Sequence, residues 1–232
     1  MKRFFAKYIT PIIVITVFSS HAVSLELSGI SGGGNYNVIG KSYAERKFST
    51  IYKQQYDFSC GSAALASLLT FHYDDEVNEQ SVFIDMFQNG DQEKIKKQGF
   101  SLLDMKNYLE RQGYRADGFK IKLDQLLTVN SPAITIINTK GYLHFVIIQG
   151  LDTQRVLVGD PAIGVNIIPR DKFEKIWGNR ILFLIHAKEG IKARNFQNDE
   201  EWANRVAPLG VSVNRASLSE YNMLQRPGAF DF

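Results

Sequence analysis

The 232-residue chain has a single cysteine. That excludes an intramolecular disulfide framework and any zinc or iron–sulfur site built on several thiolates. Charge of either sign is barely in excess, with 27 Lys and Arg against 24 Asp and Glu. No group of His, Cys, Asp and Glu has metal-ligand spacing, and the G-x-x-x-x-G-K-[ST] phosphate loop is missing. No basic stripe with interleaved aromatics is present either. The expectations are therefore no cofactor, no metal, no ATP and no nucleic acid. The chain also lacks an apolar run of the roughly 20 residues that a spanning helix needs. What it does have, 44% hydrophobic and 12% aromatic residues, is enough for one packed domain with tails.

The small net charge of +3 sits at the start. Lys2, Arg3 and Lys7 precede a short apolar run, Ile9 to Phe18. Ser20 and Ala22 then place small residues three and one before a cut after Ala22. This is a secretory signal peptide pattern over residues 1–22, with an uncleaved membrane anchor as the alternative. Beyond it, 24 basic and 24 acidic residues remain, so no anionic partner is implied. The expected location is the periplasm, with membrane attachment only through an uncleaved signal segment.

Residues 23–50 are rich in Gly and Ser, with Gly29, Gly32, Gly33 and Gly34 close together, and read as a linker. The packed domain is expected over 51–187. Its first half reads as helices: Cys60 to Tyr73, Asn78 to Gln88, Ser101 to Gln112, and a short one over Leu123 to Val129. Ser101 and Asp104 have the spacing of a capping box, and Gly113 is a stop. The second half reads as closely spaced strands: 132–138, 144–151, 155–160, 165–168 and 180–187. Helices first and an antiparallel sheet second is an α+β layout. Phe173 and Trp177 have the spacing of core residues. Residues 188–232 form a polar C-terminal extension in which 199–205 fits a helix. Phe230, Asp231 and Phe232 end it as a loose terminus.

A free thiol in an oxidising compartment is a liability, so the lone Cys60 is either a buried inert residue or a nucleophile. Its place at a helix N-terminus favours thiolate, and its own N–H could help hold an oxyanion. A thiolate nucleophile needs an imidazole and a group to orient it. Of the four histidines, His21 leaves with the signal segment. His72 lies too far along the helix that Cys60 begins, and it and His186 read as surface or structural. His144 begins an apolar strand and Asp160 ends the next, across a short hairpin that can bring them together.

Two segments then carry a resemblance. Gln54 to Leu69, QQYDFSCGSAALASLL, resembles the opening motif of the C39 peptidases, the papain-like cysteine proteases that process double-glycine bacteriocin leaders. That motif has a Gln six residues before the Cys, then Cys-Gly-x-Ala entering a helix: Gln54, Cys60, Gly61 and Ala63. His144 to Gly164, HFVIIQGLDTQRVLVGDPAIG, is similar to the family's His strand, hairpin and Asp-Pro-Ala-x-Gly. The resemblance spans about residues 48–187. It implies a papain-like fold, with Cys60 as nucleophile, His144 as base and then acid, and Asp160 orienting His144. Gln54 would be the oxyanion donor beside the Cys60 N–H.

Two departures are visible. The family usually has Asp or Glu directly before the Cys; this chain has Ser59, with Asp57 nearby, which is expected to tune the site. Most members are fused to a membrane-spanning exporter, whereas this chain resembles stand-alone exported members found with functional-amyloid (Fap-type) secretion systems.

The resemblance implies a periplasmic cysteine endopeptidase. It would cleave after small residues, Gly-Gly foremost, in an amyloid subunit or other exported polypeptide, and so support secretion. The competing reading is a C39-like adaptor or chaperone that binds peptide without cutting it. Acyl transfer to an amine is a third reading, with no acceptor feature in its favour. Retention of Cys60, His144, Asp160 and Gln54 together favours catalysis. The linker holds one more match: ELSGISGG places Glu26, Leu27, Ile30, Gly32 and Gly33 at the positions of a double-glycine leader. It is either a coincidence in a Gly-rich segment or a self-recognition segment that is bound or cut.

Overall fold

The computed structural model describes residues 24–27, 36–39, 42–56, 58–186 and 193–205. The signal segment, His21, Asp57 and the Phe230–Phe232 tail lie outside them. Within the stretch read as linker, β1 (Ser24–Leu27) and β2 (Tyr36–Ile39) pair antiparallel, with Leu27 opposite Tyr36. Alternating leucines in β1 and the Tyr, Val and Ile of β2, on either side of the glycines, supply the strand preference that the composition of the segment obscured.

A second unit begins at Tyr43, earlier than the boundary expected at Ile51. It opens with the short α1 (Tyr43–Lys47), and Phe48 behind it packs against the core. Gly164, at φ +87°, lies under this segment: a Cβ there would come within 2.6 Å of the Lys47 carbonyl oxygen.

The helices follow: α2 (Cys60–His72), α3 (Glu79–Asn89), α4 (Gln92–Gln98) and α5 (Leu102–Arg111). α2 is built from Ala, Ser and Leu and is buried on all sides, the expected fate of a helix without a polar face. Asn78 caps α3 by accepting from the Ser81 N–H, and α5 starts with the expected Ser101–Asp104 capping box. α4 was not legible: in QEKIKKQ only Ile95 is buried, so the segment shows no apolar period.

The chain then forms β3 (Arg115–Phe119), α6 (Gln125–Val129), β4 (Ala133–Thr139), β5 (Tyr142–Leu151), β6 (Arg155–Asp160) and β7 (Gly164–Pro169). α7 (Arg170–Ile176) and β8 (Leu182–His186) complete the domain. One six-stranded antiparallel sheet results, in the order β3-β8-β4-β5-β6-β7. Residues of β5 alternate between two cores. Phe145 and Ile147 face α2–α5, while Val146 and Ile148 pack with Leu126, Phe173 and Trp177 from α6 and α7. A sheet covered on both faces needs apolar residues at successive positions, which is why its strands read as continuous β-branched runs. Phe173 and Trp177 are core residues, as their spacing suggests, and Trp177 Nε1 donates to Thr135 Oγ1 at 2.7 Å.

The segment 193–205 returns to this unit and ends in α8 (Asp199–Arg205). The Arg194 N–H donates to the His72 carbonyl at 2.7 Å, and the Gln197 N–H to the Gln149 carbonyl at 2.9 Å. His72 is thus a buried structural group. Its Nδ1 lies 3.0 Å from the Arg194 carbonyl. Burial pushes its pKa down to about 4, against the opposing effects of that bond and of Glu201.

Candidate active site

Cys60 is the first residue of α2. The helix cannot bond its own leading N–H groups, so those of Cys60 and Gly61 are donors without an intrahelical acceptor beside the sulfur. Ser59 holds the turn ahead: its carbonyl accepts from the Ala63 N–H at 3.0 Å and from Ser62 Oγ at 2.9 Å. Gly61 lets the helix approach its neighbours closely. A Cβ there would lie 3.0 Å from Phe100 Cβ and 3.1 Å from Met105 Cε. Gly61→Ala is expected to cost about 1–3 kcal/mol by overpacking. A urea unfolding curve checks this, and an unchanged midpoint would mean that Phe100 and Met105 yield freely.

His144 and Asp160 come from adjacent strands. The β4–β5 turn has Lys140 at φ 54° and Gly141 at φ 92°, the positive values of a two-residue hairpin that fixes register. Across β5 and β6, Ile147 stands opposite Gly159. Continuing that register puts Asp160 opposite Val146 and diagonal to His144 on one face. His144 Nε2 lies 2.7 Å from Asp160 Oδ1. The same oxygen accepts from the Ala162 N–H at 2.7 Å, so it is an acceptor and the imidazole carries its proton on Nε2.

The other ring nitrogen, Nδ1, is buried and has no partner at full hydrogen-bond geometry among the described residues. The Cys60 side chain is close enough to act on the ring both as a hydrogen-bonding group and through its charge. Burial alone would lower the His144 pKa, but the bond to Asp160 and the proximity of Cys60 outweigh it and push it up to about 9. An imidazole held this way can take a thiol proton on Nδ1 and keep it. All three residues are buried, at 6%, 5% and 7% exposure, so the pair is screened little by solvent.

A cleft of about 720 Å³ opens beside Cys60, between the start of α5 and the β4–β5 hairpin. Phe100 and Phe145 line it, and Leu103, Tyr142 and Leu143 form exposed apolar lips. Large exposed apolar side chains converging on one cleft mark a binding surface. Sequence reading did not find these lips, because an apolar residue is informative only once it is seen to be exposed.

Gln54 sits in the segment ahead of Cys60. Its N–H donates to the Pro161 carbonyl at 3.0 Å, which ties this segment to the residue after Asp160. Its side-chain Nε2 donates to the Tyr56 carbonyl at 3.3 Å, a long bond that leaves a second N–H on the same nitrogen. His186 lies elsewhere, half-buried and 3.5 Å from Asp117. Glu26 and Leu27 are in β1, paired with Asn37 and Tyr36. Ile30, Gly32 and Gly33 lie outside the described residues.

The family model for the peptidase C39 family matches residues 49–189. A probable functional amyloid protease FapD of Pseudomonas fluorescens is 42% identical over 166 residues, 72% of this chain and 73% of the relative. A probable functional amyloid protease FapD of Pseudomonas aeruginosa is 38% identical over 177 residues, 76% and 78% of the two chains. Among solved structures, the peptidase domain of Streptococcus ComA, a bi-functional ABC transporter of a quorum-sensing pathway, superposes with a TM-score of 0.51. It is 18% identical and covers 60% of this chain and 98% of its own, which speaks to the fold alone.

Proposed function

The chain belongs to the peptidase C39 family, and from that premise we propose that it is a periplasmic cysteine endopeptidase. It cleaves after small residues, Gly-Gly foremost, in a secreted or amyloid-forming polypeptide, and so supports that polypeptide's secretion. The observation that carries this reading is the buried imidazole of His144, whose Nε2 is fixed on Asp160 and on which Cys60, at a helix N-terminus, acts as hydrogen-bonding neighbour.

In this reading, Nδ1 takes the Cys60 proton and the thiolate adds to the peptide carbonyl. The Cys60 N–H and the Gln54 amide hold the oxyanion. Nδ1 returns the proton to the leaving amine, and the C–N bond breaks to leave a thioester. A water then gives its proton to Nδ1 and its oxygen to the acyl carbon, and the thiol is regenerated. Export rests on the signal pattern of residues 1–22, and an amyloid-forming substrate on the names of the two Pseudomonas relatives.

The test is a pair of synthetic peptides that differ only at the cleavage site, one with Gly-Gly and one with Leu-Leu, read by mass spectrometry. The expected result is hydrolysis after the second glycine, abolished by iodoacetamide, with kcat/KM about tenfold or more above that for the Leu-Leu peptide. Binding of both peptides with hydrolysis of neither would favour the adaptor.

A further inference from the structure

Glu79 is the first residue of α3, where a glutamate ordinarily stays in solvent and faces the helix dipole. This one is 8% exposed. Its carboxylate faces out of its own helix towards the Ser59 side chain and the Gln55 N–H, in the segment that leads into Cys60, close enough for both to favour its charged form. Burial raises its pKa, and these two neighbours oppose the rise.

The contacts run on towards Gln54. Ser59 Oγ accepts from the Tyr56 N–H at 3.1 Å and lies 3.0 Å from the Tyr56 carbonyl oxygen. The hydroxyl has one hydrogen for two acceptors, and the carboxylate is the stronger of them. The Tyr56 carbonyl is the group that accepts from Gln54 Nε2. α3 holds the same segment a second time, by rings: Phe83 lies 5.6 Å from Tyr56 and 5.7 Å from Phe58, centroid to centroid.

We propose that Glu79 is a positioning residue for oxyanion stabilisation, fixing the Gln54–Ser59 segment so that the Gln54 amide and the Cys60 N–H converge on one point. It touches neither substrate nor sulfur and acts through Ser59 and Tyr56. The inference rests on the peptidase reading, and it separates two functions of the site. The Cys60–His144 pair depends on β5 and β6, and the oxyanion donors depend on α3.

Two reagents distinguish these functions. Iodoacetamide alkylates a thiolate without forming an oxyanion, whereas the Gly-Gly peptide must form one. Glu79→Ala is expected to lower kcat on the peptide about 10- to 100-fold, with KM within about threefold. The rate of Cys60 alkylation should stay within about twofold of wild type, and Glu79→Gln, which can still bond Ser59 and Gln55, should recover most of kcat. In the Gln54→Ala background, Glu79→Ala should add almost nothing, because both act on one interaction.

Should Glu79→Ala fail to fold, Ser59→Ala cuts the same connection and should show the same split between alkylation and cleavage. Equal losses of alkylation and cleavage, additivity with Gln54→Ala, or wild-type kcat in Glu79→Ala would each overturn the proposal. A wild-type protein that does not cut the peptide at all would instead overturn the peptidase reading.

Discussion

Replacing Cys60 with alanine is expected to lower kcat/KM for peptide cleavage by about 10⁴-fold or more while the fold survives. The two halves of this expectation have separate causes. Alanine is the residue type that α2 already uses at its most buried positions, Ala63, Ala64 and Ala66, and it is the best helix former. Losing one sulfur atom from a packed site costs about 1 kcal/mol, small against a domain's whole stability. Activity has no such reserve, because no other thiol exists in the chain to form the thioester. The decisive comparison is a cleavage time course beside a thermal melt. Cleavage within tenfold of wild type would remove Cys60 from the role of nucleophile. Secretion of the substrate restored in cells by Cys60→Ala would make peptide binding, not cutting, the working activity.

The place of Cys60 at a helix start and the meeting of His144 with Asp160 are legible in the sequence because each is fixed by local structure. Cys60 opens a helix whose small residues announce burial. His144 and Asp160 are set sixteen apart by one hairpin, and a hairpin's register follows from its turn and strand lengths. The strands were legible for the same reason, as dense β-branched runs. Long-range contacts were not. The serine at position 59 was visible as a departure from the family, but the carboxylate that meets it lies twenty residues away on α3, and no spacing rule connects the two. α4 was hidden by its polarity. The docking of 193–205 was hidden because it rests on backbone bonds, such as that between Arg194 and the His72 carbonyl, which leave no trace in residue type. The β1–β2 pair was masked by the glycines that separate its strands. Gln54 is an intermediate case: its spacing from Cys60 picked it out, and only the structure shows its amide engaged with the Tyr56 carbonyl.

Asp160→Asn is expected to change how both stability and activity depend on pH. Asparagine keeps an oxygen that can accept from His144 and from the Ala162 N–H, so the geometry is retained and only the charge is removed. In the native protein His144 is pushed up to about 9, from an ordinary value of 6.5. A group raised in the folded state binds its proton more tightly there than in the unfolded chain. Its contribution is therefore complete below pH 6.5 and is lost as the pH rises through 9. The full contribution is on the order of 3 kcal/mol, shared between Asp160 and Cys60. Urea unfolding at pH 6 and at pH 9.5 should show the wild type losing more stability than Asp160→Asn over that interval. Repeating the pair in a Cys60→Ala background isolates the share due to Asp160. Kinetics should move in the same direction. The alkaline limb of kcat/KM reports loss of the imidazolium proton, and without the carboxylate it should fall by about one pH unit or more from its wild-type position near 9. Parallel stability curves and an unmoved alkaline limb would mean that the Asp160 charge does not hold the proton on His144, and that Asp160 orients the ring by geometry alone.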